Sequence, residues 1–337
     1  MKQIRLLVGV FFFVGLFTST SLAQTGANGR TFVSGQGSDS NTCSVTAPCR
    51  TFARALTQTA AGGEVVVLGS AGYGPFAISH SVTIEAPAGI YAGITVATGA
   101  AIDISVASTD VVILRGLTIV GEGSTGVGID ASILGTLHVE NCVIDGFSGG
   151  DSMLTGIGLG VFGFGRVLVK DSIFRDNVTG IGITSGSAVT LDHVRMEGNS
   201  TGLSAAGGPQ VSVNDSDASG NETGIFADTG STVNLIRCVA SNNNVGIQAQ
   251  QTQSTNAQTF VIVEGCLVSS NVNDGVIIQS SHGVVQVTVS DTAITGNSVG
   301  VVNASGNETS GIFSYGNNRI FTNVTNGAFT GTPIKLQ

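Results

Sequence analysis

One line of polar residues in this sequence has the composition of a reactive site. Asp171, His193, Asp215 and Arg237 follow one another at intervals of 22 residues. A histidine between two carboxylates can act as a general base or as a metal ligand. Asp228 is a further carboxylate in the same stretch. The segment AQQTQSTNAQT, residues 249–259, offers Gln250, Gln251, Gln253 and Asn256, whose amides suit the hydroxyls of a neutral sugar. A third line is made of asparagine: Asn177, Asn199, Asn221, Asn243, Asn271 and Asn297. A row of amides can grip a polymer.

The same residues repeat because the whole chain repeats, and the repeat must be understood first. Val169, Leu191, Val213, Leu235, Val263 and Val289 are equivalent. An apolar residue stands two positions before each: Val167, Val189, Val211, Val233, Val261 and Val287. Five after comes Phe174, Met196, Ala218, Ala240, Val268 or Ile294, and eight after comes the asparagine. A glycine then precedes Ile181, Leu203, Ile225, Ile247, Val276 or Val301. Apolar residues two apart mark strands with one buried face. Three short strands per repeat, each stacked on its equivalent in the next, make an all-β solenoid: a single-stranded right-handed parallel β-helix. Its coils rise by the strand spacing of roughly 4.8 Å, and about ten of them are expected. EVVVL, FAISHSVTIEA, GITVA, AIDISV and VVILRGLTIVG continue the pattern upstream in weaker form.

Composition agrees. Gly numbers 49, Pro only 5, and charged residues are 10% of the chain. That balance argues against long helices and against disorder. The net charge of −9 makes nucleic acid and anionic membranes poor partners. The first residues, MKQIRLLVGVFFFVGLFTSTSLAQ, read as a signal peptide spanning 1–23 and cut near Ala23. The mature chain is then expected to be secreted, periplasmic or on the cell surface, without a transmembrane anchor. Residues 24–62 read as an N-terminal segment, and 63–337 as the β-helix. In an exported chain Cys43 and Cys49, which bracket SVTAP, are expected to form a disulfide. A helix at residues 51–60, with Phe52, Ala55 and Leu56 on one side, is expected to cap the first coil. A solenoid needs such a cover to keep its end from pairing.

The coil pattern resembles the pectate-lyase-like right-handed β-helix superfamily. The opening TFVSGQGSDSNTCSVTAPCRTFARAL and the closing SYGNNRI are similar to those of exported bacterial β-helix proteins. The resemblance extends over nearly all of the mature chain and implies the fold, while the superfamily hosts lyases, hydrolases and adhesins alike. It also implies where chemistry would sit: on the outer face of the strand stack beginning at Ile181, Leu203 and Ile225. The outward positions there are Gly182, Ser204, Phe226, Gln248, Ile277 and Val302, and none is ionisable. Asp228 is the carboxylate nearest to them.

Each polar line also has a reading without chemistry. Asparagine at one offset in six coils is what a stacked turn requires, since Asn tolerates left-handed backbone and its amide bonds the next coil. In the edge line, signs alternate along the stack. Lys170 would meet Asp192, Arg175 would meet Glu197, and Arg195 would meet Asp217. Cys142, Cys238 and Cys266 share a column with Ser172, Ser216 and Thr292, and read as small buried residues rather than as redox or metal groups. The loops 148–156 and 249–259 are the insertions in the repeat. Of the aromatics that could face a sugar, GVFGFG presents Phe162 or Phe164, with one of them expected inside.

These readings favour a non-catalytic exported protein that engages extracellular polysaccharide or another surface. A divergent polysaccharide lyase or glycoside hydrolase is the alternative, and a purely structural or adhesin-like surface protein is the third. No catalytic residue is assigned. No cofactor is called for, though calcium would be compatible with the acidic residues.

Overall fold

A computed structural model describes residues 28–150, 155–253 and 257–335. The expected signal peptide and Asn256 lie outside them. Three parallel sheets run the length of the molecule, one of twelve strands and two of eleven. The chain visits them in turn. Arg166–Lys170 lies in the first sheet, Ile173–Arg175 in the second and Thr179–Ile183 in the third. Ala188–Asp192 then returns to the first, one coil further along. The result is a right-handed parallel β-helix.

The repeat holds in register. Val169 pairs with Leu191, Leu191 with Val213, Val213 with Leu235, Leu235 with Val263 and Val263 with Val289. In the third sheet Ile181, Leu203, Ile225, Ile247, Val276 and Val301 form one continuous column. All of these side chains are buried inside the tube. Each fully buried Val, Leu or Ile contributes about 1.5–3 kcal/mol over its exposed state, so the stacked columns hold the fold.

The glycines ahead of the third sheet are there for room. A Cβ on Gly224 would sit 2.6 Å from the carbonyl oxygen of Gly246 and 2.8 Å from Asn243 Nδ2. Gly180, Gly202, Gly246 and Gly275 face the same obstruction from the next coil. Close backbone approach, not a special dihedral angle, selects glycine in this column.

The N-terminal end departs from expectation in two ways. The helix spans only Phe52–Leu56, with Thr51 Oγ1 accepting from Arg54 N as its cap, and Phe52, Ala55 and Leu56 are buried. It stops because Thr59 already belongs to the strand Thr59–Val67, and the Thr59 hydroxyl donates to Ala55 O at 2.8 Å. In addition, the strand Asn28–Val33 precedes the helix and pairs with Thr59–Val67, so the first sheet begins within the segment before residue 63. Cys43 and Cys49 are joined by a disulfide. At the other end the tail lies over the last first-sheet strand, with Thr330 N and Gly331 N both 3.0 Å from Ile312 O. Among the described residues no helix is long and apolar enough to cross a membrane.

Candidate functional site

Backbone conformation decides what the edge line is. Asn141, Asp171, His193, Asp215, Arg237 and Asp291 have φ of 52°, 49°, 54°, 48°, 52° and 45°, and Gly265 joins them at 61°. The turn from first to second sheet places one residue per coil in the left-handed region. Asn, Asp and Gly tolerate that region best. From Asn141 to Gly265 the N–H then donates to the next coil, as from Asp171 to Asp192 O and from His193 to Asn214 O. Asp192, His193 and Asp215 do converge, with ligand atoms within 4.8 Å of one another. Their charges are already met. Arg237 forks onto Asp215 at 2.7 and 2.5 Å, which holds that carboxyl below its ordinary range. Lys170 Nζ stands 3.9 Å from Asp192, and His193 Nδ1 is 2.9 Å from the same carboxylate. Asp171 and His193 are exposed. The expected partners of two arginines are replaced. Arg175 is in register with Glu197 but bonds Asp145 one coil earlier, at 3.0 and 2.9 Å. Arg195 is in register with Asp217 but bonds Glu197 on its own strand at 2.5 Å. Strand register limits which carboxylates a guanidinium can reach; the long side chain chooses among them.

The asparagines form a hydrogen-bonded series inside the second turn. Asn221 Oδ1 accepts from Asn199 N at 2.9 Å and from Asn199 Nδ2 at 3.0 Å. Asn221 Nδ2 donates to Met196 O at 2.9 Å. The same pattern recurs between Asn177 and Asn199 and between Asn271 and Asn297. Asn243 likewise bonds Asn271 Oδ1 through its backbone N–H at 3.0 Å. All six side chains are buried, which leaves no amide free for a ligand. A second series runs through the column of small residues. Cys142 N donates to Ser172 Oγ, Val194 N to Ser216 Oγ and Cys266 N to Thr292 Oγ1. Ser172, Ser216, Cys266 and Thr292 in this column each accept from the backbone N–H of the preceding coil, and Val194 is the apolar member that does not.

The third sheet's outer face is where polar groups gather without being consumed by the turns. One row crosses it through Ala77, Asp103, Asp130, Gly160, Gly182, Ser204, Phe226, Gln248, Ile277 and Val302. Toward the C-terminal end, Asp228 and three glutamines meet. Gln250 Nε2 is 3.2 Å from Asp228 Oδ2. Gln248 Nε2 is 3.4 Å from Gln250 Oε1 and 3.3 Å from Gln279 Oε1. Asp228 is only 8% exposed and also accepts from Thr229 N at 2.7 Å and Thr229 Oγ1 at 3.0 Å. Gln250 therefore lies on the strand face rather than in a loop. Gln251 does not join it. Strand alternation turns it inward, fully buried, where its amide accepts from Thr259 Oγ1 and donates to Gln253 O. Gln253 is exposed.

At the other end of the same row stand two carboxylates that lie outside the regular 22-residue repeat. Asp103 and Asp130 are register partners on neighbouring strands, Ala100–Ser105 and Val127–Ile133. Burial pushes the Asp130 carboxyl above its ordinary value; the Ser132 hydroxyl, which donates to it, works against this, and the Asp103 charge adds to it. Asp103 is exposed. Next in the row, Phe162 lies over Gly160: a Cβ there would be 2.5 Å from its ring carbons. Phe164 projects from the following turn, 76% exposed, and lines a cavity of about 580 Å³ with Leu134 and Arg166. Neither ring enters the core, against expectation, because the tube interior at this level is filled by Leu159 and Val161. The signal for the pair was a repeated tetrapeptide, IDIS at 102–105 and IDAS at 129–132.

Comparison with known proteins agrees with the fold. Residues 135–294 match the family model described as right handed beta helix region. Among solved structures, the A-module of the Azotobacter vinelandii mannuronan C-5 epimerase AlgE6 is 14% identical, with a TM-score of 0.53 over 89% of this chain and 88% of that one. Pectate lyase Pel9A is 13% identical, with a TM-score of 0.47 over 83% of this chain and 78% of the other. At such identity the likeness is one of fold. No curated protein matches the sequence. The chain is a right-handed parallel β-helix, and its central coils, residues 135–294, carry the match to the right handed beta helix region.

Proposed function

We propose that this protein is exported and engages an extracellular polysaccharide, without cleaving it, along the outer face of its third sheet. The carrying observation is the cluster of Gln248, Gln250, Gln279 and Asp228 on one strand face. Amides both donate and accept, so a row of them matches the paired hydroxyls of a sugar ring. Each hydrogen bond adds only about 1 kcal/mol net, which suits a ligand held at many rungs rather than in one pocket. Asp228, Asp103 and the net charge of −9 favour a neutral polymer over a polyuronate. Export is supported by the N-terminal segment and by the Cys43–Cys49 disulfide.

The test is affinity electrophoresis through gels containing neutral or acidic polysaccharides. Retardation by a neutral glycan, lost in the Gln248→Ala, Gln250→Ala double variant, is the expected result. Mobility unchanged in every gel, or retardation that survives the double variant, overturns the reading.

A second reading rests on Asp103 and Asp130. Two carboxylates side by side, one held toward its protonated form, are the groups that acid–base glycoside chemistry uses. Release of reducing or unsaturated ends from a glycan, abolished by Asp130→Asn, would replace the non-catalytic reading with this one.

A further inference from the structure

The Ser/Thr/Cys column contains one place where two cysteines are consecutive. Cys238 and Cys266 stand immediately before the register partners Val239 and Leu267, and two residues after the partners Ile236 and Glu264. They are therefore neighbours on adjacent coils, with their side chains pointing the same way. Adjacent parallel strands lie about 4.8 Å apart, inside the Cα separation of roughly 4.4–6.8 Å that a disulfide spans. The sulfur of Cys266 reaches back toward the earlier coil. It lies 3.3 Å from the backbone N of Cys238 and 3.5 Å from Leu235 O. The sulfur of Cys238 lies 3.4 Å from Ile236 O, on the same stretch of backbone. The third unpaired cysteine, Cys142, has Ser172 as its neighbour in the column.

We propose that Cys238 and Cys266 form a second, inter-coil disulfide when the protein meets a low-molecular-weight disulfide such as oxidised glutathione. The thiolate of Cys266 attacks one sulfur of the small disulfide, forming a mixed disulfide and releasing one small thiolate. The Cys238 thiol loses its proton and attacks the Cys266 sulfur, releasing the second. Two protein thiols are oxidised, one external disulfide is reduced to two thiols, and the protons pass to solvent. The order follows from the hydrogen bonds. Contact with Cys238, whose backbone N–H donates to the Cys266 sulfur at 3.3 Å, lowers the Cys266 pKa, while contact with Cys266 and burial hold Cys238 protonated, its thiol donating to Val213 O and Ile236 O. Only weak S–H···O contacts are lost on closure. The bond would close a 28-residue segment that includes Gln248, Gln250 and the inserted loop, and so would fix the coil on which the glutamine cluster is built.

Thiol counting tests this on the folded protein with its Cys43–Cys49 bond closed. The protein is incubated with oxidised glutathione, denatured, alkylated and weighed. Alkylated cysteines should fall from three to one, with Cys142 the survivor and a peptide pair joined through Cys238 and Cys266. Cys238→Ser and Cys266→Ser preserve the hydrogen-bonding column, as Ser216 does, and should fold. Glutathione should raise the thermal midpoint of the wild type and leave both variants unchanged. Three alkylated cysteines after treatment, a lasting glutathione adduct on either residue, or a bond that includes Cys142 would each overturn the proposal.

Discussion

Replacing Asn221 with alanine tests the physical account of the fold at its most exacting point. Asn221 is 4% exposed and makes four side-chain contacts. Not all of its partners are stranded by the change. Asn199 Nδ2 keeps Phe174 O at 3.1 Å, and Asn243 Oδ1 keeps the backbone N–H of residue 221 at 2.8 Å. Two groups lose what Asn221 gave them: the backbone N–H of Asn199 loses its acceptor, and Met196 O loses its amide donor. An unsatisfied buried group costs about 1–3 kcal/mol, so with two of them Asn221→Ala should lower stability by about 2–6 kcal/mol. The comparison is Asn273→Ala. That residue is exposed and bonds only Asn244 Oδ1 through its side chain, so its loss should fall within about 0.5 kcal/mol. Urea unfolding gives the totals. Coils contact mainly their neighbours, so unfolding need not be all-or-none, and a local measurement is also required. Hydrogen exchange supplies it: the Asn199 amide should exchange faster in Asn221→Ala, with amides several coils away unchanged. If Asn221→Ala costs no more than Asn273→Ala, or the Asn199 amide stays protected, the asparagine series does not hold the turns together and the reasoning fails.

Two other residues give sharp expectations. His80 is half-buried two residues beyond the strand Phe76–Ile78, and neither of its buried ring nitrogens has a hydrogen-bond partner among the described residues. His80→Leu should therefore raise stability by about 1–2 kcal/mol in a urea melt, and a loss of stability would show that the imidazole is satisfied in solution. Asp130 holds its proton more tightly folded than unfolded, because folding buries it. Its contribution is complete at acid pH and is lost as pH rises through the folded midpoint, above the ordinary value of about 3.9. Asp130→Asn removes that loss, so its thermal midpoint should gain on the wild type as pH climbs from about 4 to 7. A constant or narrowing difference would mean that the carboxyl is not buried.

The central coils were legible because the pattern there is stiff. Where coils are 22 residues long, one apolar spacing and one asparagine suffice to set the register, as the pairing of Leu191 with Val213 shows. Upstream, the interval from Asp103 to Asp130 is 27 residues and from Asp130 to Gly160 is 30, so the outward row could not be extended by counting. The carboxylate pair was missed for that reason, although IDIS and IDAS signal it. Side-chain choice was the other limit. Sequence period placed Arg175 opposite Glu197, but only geometry shows the guanidinium on Asp145. Gln251 read as a loop residue because the strand Val245–Gln251 is two residues longer than its predecessor Thr223–Ala227, and the extra length turns that amide inward.

The left-handed residue between first and second sheets carries a consequence for length. Each coil begins from the same dihedral corner, so the chain can be cut and rejoined between equivalent corners. Removing residues 193–214 would join Asp192 to Asp215 and bring Asn177 opposite Asn221, with every neighbouring rung still matched. Molecular length is then a whole-number quantity, counted in rungs of about 4.8 Å. A protein built in this way is a ruler, and the length of surface it offers is set by how many rungs the gene has copied.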